Sequence, residues 1–277
     1  MRICDWLAGA SGRLGRIGIE GSLFEAQVLL CHFLGVSRSW LIAHRQDFFT
    51  PGEELEALVQ RRESHEPLAY ILGYREFYGR EFLVDSSVLI PRQDTEVLVE
   101  TTLKYIDSGQ SLKVCDIGTG SGCIAITLQL ERPLLDVLAL DISADALGVA
   151  KNNAEALNAQ VQFLESDLFS EIEPDEKFDI VVSNPPYVES GYDLENQVKD
   201  FEPHSALFAG IDGMDCYKRI ASEVTGYLKS SGVLILEIGQ GQANKMTEIF
   251  ENLGWKLIDT TQDLSSIVRV LVFSFSE

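Results

Sequence analysis

A doubly wound α/β sheet with an antiparallel last strand, joined by a β-hairpin to a small N-terminal helical bundle, is the fold that three observations in this sequence predict. From residue 112 onward, short apolar runs alternate with helical stretches, the pattern of a parallel sheet covered on both faces. The last two runs, Trp255–Thr260 and Ile267–Phe275, follow each other with no helix between them, so one of them must run antiparallel. Residues 1–73 read as helical and loosely amphipathic.

The chain has 277 residues, 45% of them hydrophobic, enough for one full core and a smaller domain. The expected division is a helical recognition domain at 1–73, a hairpin linker at 74–90 and the α/β domain at 91–277. No run approaches the roughly 18 apolar residues of a membrane span, and Met1-Arg2-Ile3-Cys4-Asp5-Trp6 does not open a signal peptide. Cys4, Cys31, Cys115, Cys123 and Cys216 form no C-x-x-C and read as reduced thiols of a cytoplasmic protein. No cysteine–histidine cluster has zinc spacing, so no metal site is expected. His32, His44 and His65 are isolated and read as structural or surface residues.

Net charge is −21, from 22 basic and 43 acidic residues. Residues 1–80 carry 9 basic and 10 acidic side chains, whereas residues 81–277 carry 13 and 33. So acidic a main domain gains little from nucleic-acid phosphates, which reward Lys and Arg. It fits a protein or small-molecule partner better than direct nucleic-acid binding or a membrane.

Each element has its own signal. Ser22 with Glu25 three residues on suggests a capped helix through Phe24, Val28, Leu29, Cys31 and His32. Leu55, Leu58 and Val59 suggest another after Thr50-Pro51. Tyr74–Val84 alternates around Gly79 as a hairpin. Asp94 or Thr95 can cap a helix through Val97, Leu98 and Leu103. Strands follow at Leu112–Ile117, Val137–Asp141, Val161–Leu164, Phe178–Val182 and Val233–Ile238. Helices are expected from Cys123, over Ala144–Leu157, and over 213–229 and 240–253. Residues 188–211 form a long polar loop of the kind that often closes over a site.

Four strand ends carry the chemistry. Gly118-Thr119-Gly120-Ser121-Gly122 follows the first parallel strand, where glycines let the backbone approach a ligand. Asp141 ends the next strand, placed to accept ribose hydroxyls. The loop lacks the dinucleotide G-x-G-x-x-G spacing, and Asp116 puts an acidic residue beside it. That favours a cationic, phosphate-free nucleoside such as S-adenosyl-L-methionine. Asp167 can accept an adenine amino group, with Leu168 packing beside the ring; a turn cap is the plainer use of Asp167. Ser183-Asn184-Pro185-Pro186-Tyr187 then ends the strand Phe178–Val182. Its prolines present no N–H, leaving the Asn184 amide oxygen and the carbonyls of Asn184 and Pro185 as acceptors for a planar NH2 group. Tyr187 is expected as an exposed flat surface.

With these motifs in order, the chain resembles a class I S-adenosylmethionine methyltransferase that acts on amino or amide nitrogen. Pro67–Gly73 with Arg75-Glu76-Phe77, Ile90-Pro91-Arg92 with Asp94-Thr95-Glu96, Phe201-Glu202-Pro203 with Ala206-Leu207 and Gly213-Met214, and Leu236-Glu237-Ile238-Gly239 make it similar to the HemK/PrmC family. Gln93 departs from the proline usual there, and Leu168 stands where some members have an aromatic residue. The resemblance implies a peptide chain release factor glutamine N5-methyltransferase. It further implies cofactor contacts from Gly118–Gly122, Asp141 and Asn184, and substrate contacts from Asn184, Pro185, Pro186 and Tyr187 to the glutamine of a Gly-Gly-Gln motif. The expected chemistry is orientation: Asn184 and Pro185 accept the amide N–H bonds and Tyr187 stacks on its plane. Alternative readings are a ribosomal-protein glutamine methyltransferase, an adenine-N6 methyltransferase of DNA or RNA, and a non-catalytic S-adenosylmethionine-binding protein. Nothing in the sequence calls for a dimer, so a monomer is expected.

Overall fold

Five helices open the chain in the computed structural model, which describes residues 1–275. They are α1 (Ile3–Arg16), α2 (Ser22–Leu34), α3 (Arg38–Ala43), α4 (Glu53–Glu63) and α5 (Leu68–Leu72). With Leu194–Phe201 they make one unit, Met1–Gly73 plus that segment. Its core gathers Ile3, Trp6, Leu7 and Leu14 of α1, Ala26, Leu29 and Leu30 of α2, Leu55 and Val59 of α4, and Ile71. Arg62 is almost fully buried among them, which is tolerable because Glu25 pairs with it at 2.5 Å and Gln197 accepts from it at 3.3 Å.

The start of α2 differs from the sequence expectation. Gly21, in the left-handed region, stands at its N-cap, and no side chain caps the helix. The Ser22 hydroxyl instead meets the Ser11 hydroxyl at 3.1 Å. Phe24 is exposed, with the Arg38 guanidinium over its ring at 4.5 Å, because the buried face of α2 runs through Ala26, Leu29 and Leu30.

The second unit spans Tyr74–Asp193 and Glu202–Glu277. It starts with the antiparallel hairpin of β1 (Tyr74–Phe77) and β2 (Arg80–Leu83). Then come α6 (Glu96–Lys104), β3 (Lys113–Ile117), α7 (Cys123–Glu131), β4 (Asp136–Asp141), α8 (Ala144–Leu157), β5 (Val161–Glu165) and β6 (Phe178–Ser183). After the short α9 (Asn196–Lys199) of the other unit follow α10 (Asp215–Glu223), β7 (Leu228–Glu237), α11 (Ala243–Asn252), β8 (Trp255–Gln262) and β9 (Val268–Phe275). Seven strands form one sheet in the order β5-β4-β3-β6-β7-β9-β8. β9 alone is reversed, pairing antiparallel with both β7 and β8.

Side-chain alternation sorts the strands onto two faces. Cys115 and Ile117 of β3, Leu234 and Leu236 of β7, and Leu271 and Phe273 of β9 pack with Tyr217 and Ile220 of α10 and Met246 and Phe250 of α11. Val114, Ile235, Val270 and Val272 point the other way, onto Leu98 and Val99 of α6 and Ile124 and Leu128 of α7. Both faces being covered, the strands read as continuous apolar runs.

α8 has the bounds that its apolar spacing suggests, and Ser143 caps it by accepting from the Ala146 N–H at 3.2 Å. The stretch 213–229 is shorter as a helix. α10 ends at Glu223, and β7 starts early, at Leu228, with an irregularity opposite β6 that takes up Lys229–Gly232.

Candidate active site

Between β3 and β6 the strand order reverses, because β4 and β5 lie on one side and β7 on the other. A crevice must open there above the carboxyl ends of the strands. It is a cleft of about 420 Å³, and four strand ends supply its floor: Ile117, Gly118 and Gly120 after β3, Asp141–Ser143 after β4, Ser166–Leu168 after β5, and Ser183–Pro186 at β6. That volume is in the range of small-molecule sites.

The glycine loop is fixed from behind. Gly118 and Thr119 N–H groups donate to the Leu140 carbonyl at 2.8 and 2.9 Å. The Gly120 N–H donates to Asp141 Oδ2 at 2.8 Å, and the Ser143 N–H to Asp141 Oδ1 at 2.9 Å. Each Asp141 oxygen keeps a further lone pair toward the cleft. Burial raises the Asp141 pKa, against the N–H groups of Ser143, Gly120 and Ile142, which hold the charge. A Cβ on Gly118 or Gly120 would meet no atom within 4 Å, so both leave open space in the cleft wall. Gly122 serves packing instead. At φ +80° its Cβ would lie 2.8 Å from Ile126 Cδ1 and 3.1 Å from Ala150 Cβ, so only glycine lets α7 sit this close to α8.

Other predicted residues stand behind the cleft. The Thr119 hydroxyl donates to Asp116 Oδ2 at 2.6 Å, and the buried Ser121 carbonyl accepts from Asn153 Nδ2 at 2.8 Å. Asp116 is fully buried with its other oxygen unpartnered among the described residues, and burial pushes its pKa up to about 7. The acidic group that faces the cleft is therefore Asp141, not Asp116. Leu168 is buried at the rim with φ +52°. Asp167 is half exposed there, its Oδ1 accepting from Arg219 Nη1 at 2.9 Å.

Asn184, Pro185 and Pro186 line the same cleft. Ser183 anchors the turn by donating to the Ile117 carbonyl at 2.7 Å. Tyr187 is not the exposed ring expected from sequence. It is half-buried against the α10–α11 core, and Gly239 leaves room for its ring, since a Cβ there would lie 3.0 Å from Tyr187 Cδ2. Burial raises its pKa to about 12, so the phenol stays protonated. Gln242 ties the turn to α11, donating to the Tyr187 carbonyl at 3.0 Å and accepting from the Gly239 N–H at 2.9 Å.

Thr95 does not cap α6 with its side chain. Its hydroxyl oxygen accepts from Asn184 Nδ2 at 3.2 Å. Beneath both lies Glu237 at the end of β7, 2% exposed. Burial pushes its pKa up to about 7, while hydrogen bonds from Thr95 and Asn184 and the charge of Arg269 pull it back. No pattern marked Glu237 or Arg269 in the sequence as neighbours of Asn184; pairing of β7 with β6 and β9 brings them there.

The long loop after Tyr187 is structured at its ends. Val188 donates to Leu207 at 2.8 Å and accepts from Ala209 at 2.9 Å, and Ser190 donates to Gly210 at 2.8 Å. Its return arm, with Pro203, Ala206 and Phe208, forms a wall of the cleft. Glu202 anchors that arm, accepting from the Ile90 N–H at 3.1 Å and from Arg92 at 2.6 Å.

Asp116 and Glu237 give a stability prediction. Both bind a proton more tightly in the folded than in the unfolded chain, where carboxylates titrate near 4. Their contribution is full below that range and is lost as pH rises toward about 7. The thermal midpoint should fall between about pH 5 and about pH 8, and Asp116→Asn should flatten part of the fall. Calorimetry that finds the midpoint climbing through this window would contradict the assignment.

Sheet order, reversed β9 and the glycine loop facing an acidic strand end define a class I S-adenosylmethionine-dependent methyltransferase. The Methyltransferase small domain family model matches residues 93–204, and the PrmC N-terminal domain model matches residues 5–73. The Release factor glutamine methyltransferase of Koribacter versatilis is 45% identical over 252 residues, covering 90% of this chain and 89% of that one. The chain belongs to the release factor glutamine methyltransferase family, also called HemK/PrmC. A Bifunctional methyltransferase of Rickettsia typhi is 39% identical over 97% of this chain, which spans 56% of that longer protein. Among solved structures, a methyltransferase from Pyrococcus furiosus shares the fold, with a TM-score of 0.55 at 16% identity, covering 82% of this chain and all of that one. No helix among the described residues is long and apolar enough to cross a membrane, and none of their His, Cys, Asp and Glu side chains group as a metal site.

Proposed function

We propose that this chain transfers the methyl group of S-adenosyl-L-methionine to the side-chain amide nitrogen of the glutamine in the Gly-Gly-Gln motif of peptide chain release factors. One observation carries the reading within a family whose named members act on release factors: Asn184-Pro185-Pro186 opens into the same cleft as Gly118, Gly120 and Asp141. The cleft suits the cofactor, because its glycine wall leaves open space and Asp141 adds ribose acceptors and negative charge for a cationic ligand. Leu168 would pack on the adenine, and Asp167 would reach its amino group with the oxygen that Arg219 does not take. The cofactor supplies an electrophilic sulfonium methyl group.

The chain's own residues must then orient a poor nucleophile, since an amide lone pair is delocalised into its carbonyl. Asn184 Oδ1 and the Pro185 carbonyl accept the two amide N–H bonds and set the nitrogen in line with the methyl group. The same two acceptors stabilise positive charge as it grows on nitrogen. Pro185 and Pro186 add no competing N–H donor. The neutral Tyr187 ring backs the turn and keeps water from the amide plane. The proton leaves after transfer, when the nitrogen is strongly acidic, so no dedicated base is needed. Residues 1–73 would recognise the protein substrate, and the free cysteines fit the cytoplasm, where release factors act.

Incubating the protein with release factor and S-adenosylmethionine, then mapping the peptides of the product, tests this reading. Methylation should fall on the Gly-Gly-Gln peptide; methylation confined to another peptide would overturn it. Asp141→Ala should weaken cofactor binding by about tenfold or more, as two backbone N–H groups and the ribose lose their acceptor. Titration calorimetry that gives wild-type affinity in this variant would remove Asp141 from the site.

A further inference from the structure

Two stretches far apart in sequence wall the cleft above its floor, Ser87–Leu89 and the return arm with Pro203, Ala206 and Phe208. Neither belongs to the sheet, so strand pairing does not set their spacing. The side chain of Glu202 does. The chain re-enters the α/β unit at this residue after Leu194–Phe201, which makes Glu202 the first fixed point of the return arm. It is 4% exposed, and its carboxylate reaches the opposite wall. Oε2 accepts from the Ile90 N–H at 3.1 Å, and Oε1 accepts from Arg92 Nη2 at 2.6 Å. Ile90 follows Leu89 directly, and Pro203 follows Glu202 directly, so one carboxylate joins the two walls at their adjoining residues. Pro91 and Pro203 hold φ fixed on either side of the joint and pass its position on to the walls. A buried ion pair gains little stability over apolar side chains of the same volume, so its use at this joint is directional. Two hydrogen bonds fix the register of the segments, which apolar contact would leave free to slide. The Arg92 side chain is 38% exposed, so it can be exchanged without opening a cavity in the core.

We propose that Glu202 is a positioning residue that clamps Ile90 and Arg92 to the return arm, holds the two outer walls at a fixed spacing over bound S-adenosyl-L-methionine and slows its escape. Glu202 does not itself line the cleft and acts through Leu89 and Pro203, which do. A cofactor that touches both walls favours the clamped arrangement, so binding and clamp strengthen each other. The proposal goes beyond the glutamine reading and does not depend on it, because cofactor retention belongs to the cleft whatever the methyl acceptor.

Glu202→Gln and Arg92→Met, made in the full chain and measured without release factor, test it. Glutamine can still accept from the Ile90 N–H but lacks the charge that holds Arg92, and methionine removes the guanidinium. In each variant labelled S-adenosyl-L-methionine should dissociate about tenfold faster or more, the scale of one hydrogen bond between charged groups. Kd should rise to match, with the number of binding sites per chain unchanged. Arg92→Lys should stay closer to the wild type than Arg92→Met. The combined variant should be no worse than either single one, since the second change removes an interaction already lost. A wild-type dissociation rate in either single variant, or additive losses in the combined one, would overturn the proposal. So would a loss seen only as fewer binding sites at unchanged Kd, which is the mark of a role in folding alone. If Glu202→Gln fails to fold, Arg92→Met and Arg92→Lys decide the matter by the same criteria. The cofactor-free protein gives a further readout in the Ile90 amide proton. It should exchange slowly in the wild type, faster in Arg92→Met, and more slowly again in the wild type once cofactor is added; equal exchange in the two proteins would overturn the clamp. A wild type that retains cofactor, with variants that lose it fast, would support the clamp even where release factor stays unmethylated, and that failure would count against the substrate reading alone.

Discussion

Replacing Asn184 by alanine is expected to cut turnover by about 10²–10³-fold or more, the scale of losing one oriented polar group at a reacting centre. The loss should appear in kcat. Asn184 lies at the cleft with its NH2 tied to Thr95, so the group removed toward substrate is one acceptor oxygen. Cofactor binding should change much less, because the glycine loop and Asp141 remain tied to each other and to Leu140. Single-turnover kinetics with labelled cofactor separates the two. Near-normal turnover in Asn184→Ala would mean that the amide is oriented by other groups, and the mechanism would fall.

Gly213→Ala should be nearly as damaging from outside the cleft. Gly213 has φ +69°, and a Cβ there would come within 2.4 Å of the Tyr187 carbonyl oxygen and 3.2 Å of Gln242 Nε2. The nearest atom is backbone, so it cannot rotate away. It is also the oxygen that Gln242 holds at 3.0 Å. Either the loop before α10 moves or the Asn-Pro-Pro-Tyr turn does. The left-handed φ and the forced contact together should cost about 2–4 kcal/mol of stability. A shift of the turn by about 1 Å should lower turnover by about 10²-fold. Denaturant midpoints and kcat measured on the same preparation check both. A variant with wild-type stability and rate would show that Gly213 does not set the position of Tyr187.

What could be read in the sequence follows from the range of the forces involved. Strands buried on both faces announce themselves as apolar runs, and α8 is bounded by a local cap at Ser143 and a left-handed Asn158. The cleft-facing glycines and Asp141 sit at strand ends, and a strand end is legible once the strand is. Thr95 shows the limit. A Thr before an apolar helix reads as a cap by local rules, but a fold-wide contact with Asn184, 89 positions away, claims its hydroxyl. Ser22 is similar, since its hydroxyl meets Ser11 on the neighbouring helix. Tyr187 follows a turn and is expected from sequence as an exposed ring; packing beside Gly239 half-buries it, and that depends on where α11 starts. Glu237 stands in sequence within the Leu236-Glu237-Ile238-Gly239 motif, but only sheet order places it near the active turn. The segment 194–201 reads in sequence as part of one long loop but belongs with the helical unit.

The central claim is that this cleft methylates the glutamine amide of a release factor. The most direct test is transfer of label from S-adenosylmethionine to purified release factor, alongside its Gly-Gly-Ala variant and a ribosomal-protein fraction. The account predicts label on the wild-type factor and none on the variant or the ribosomal proteins. Label on the ribosomal proteins alone, or equal label on factor and variant, would contradict it.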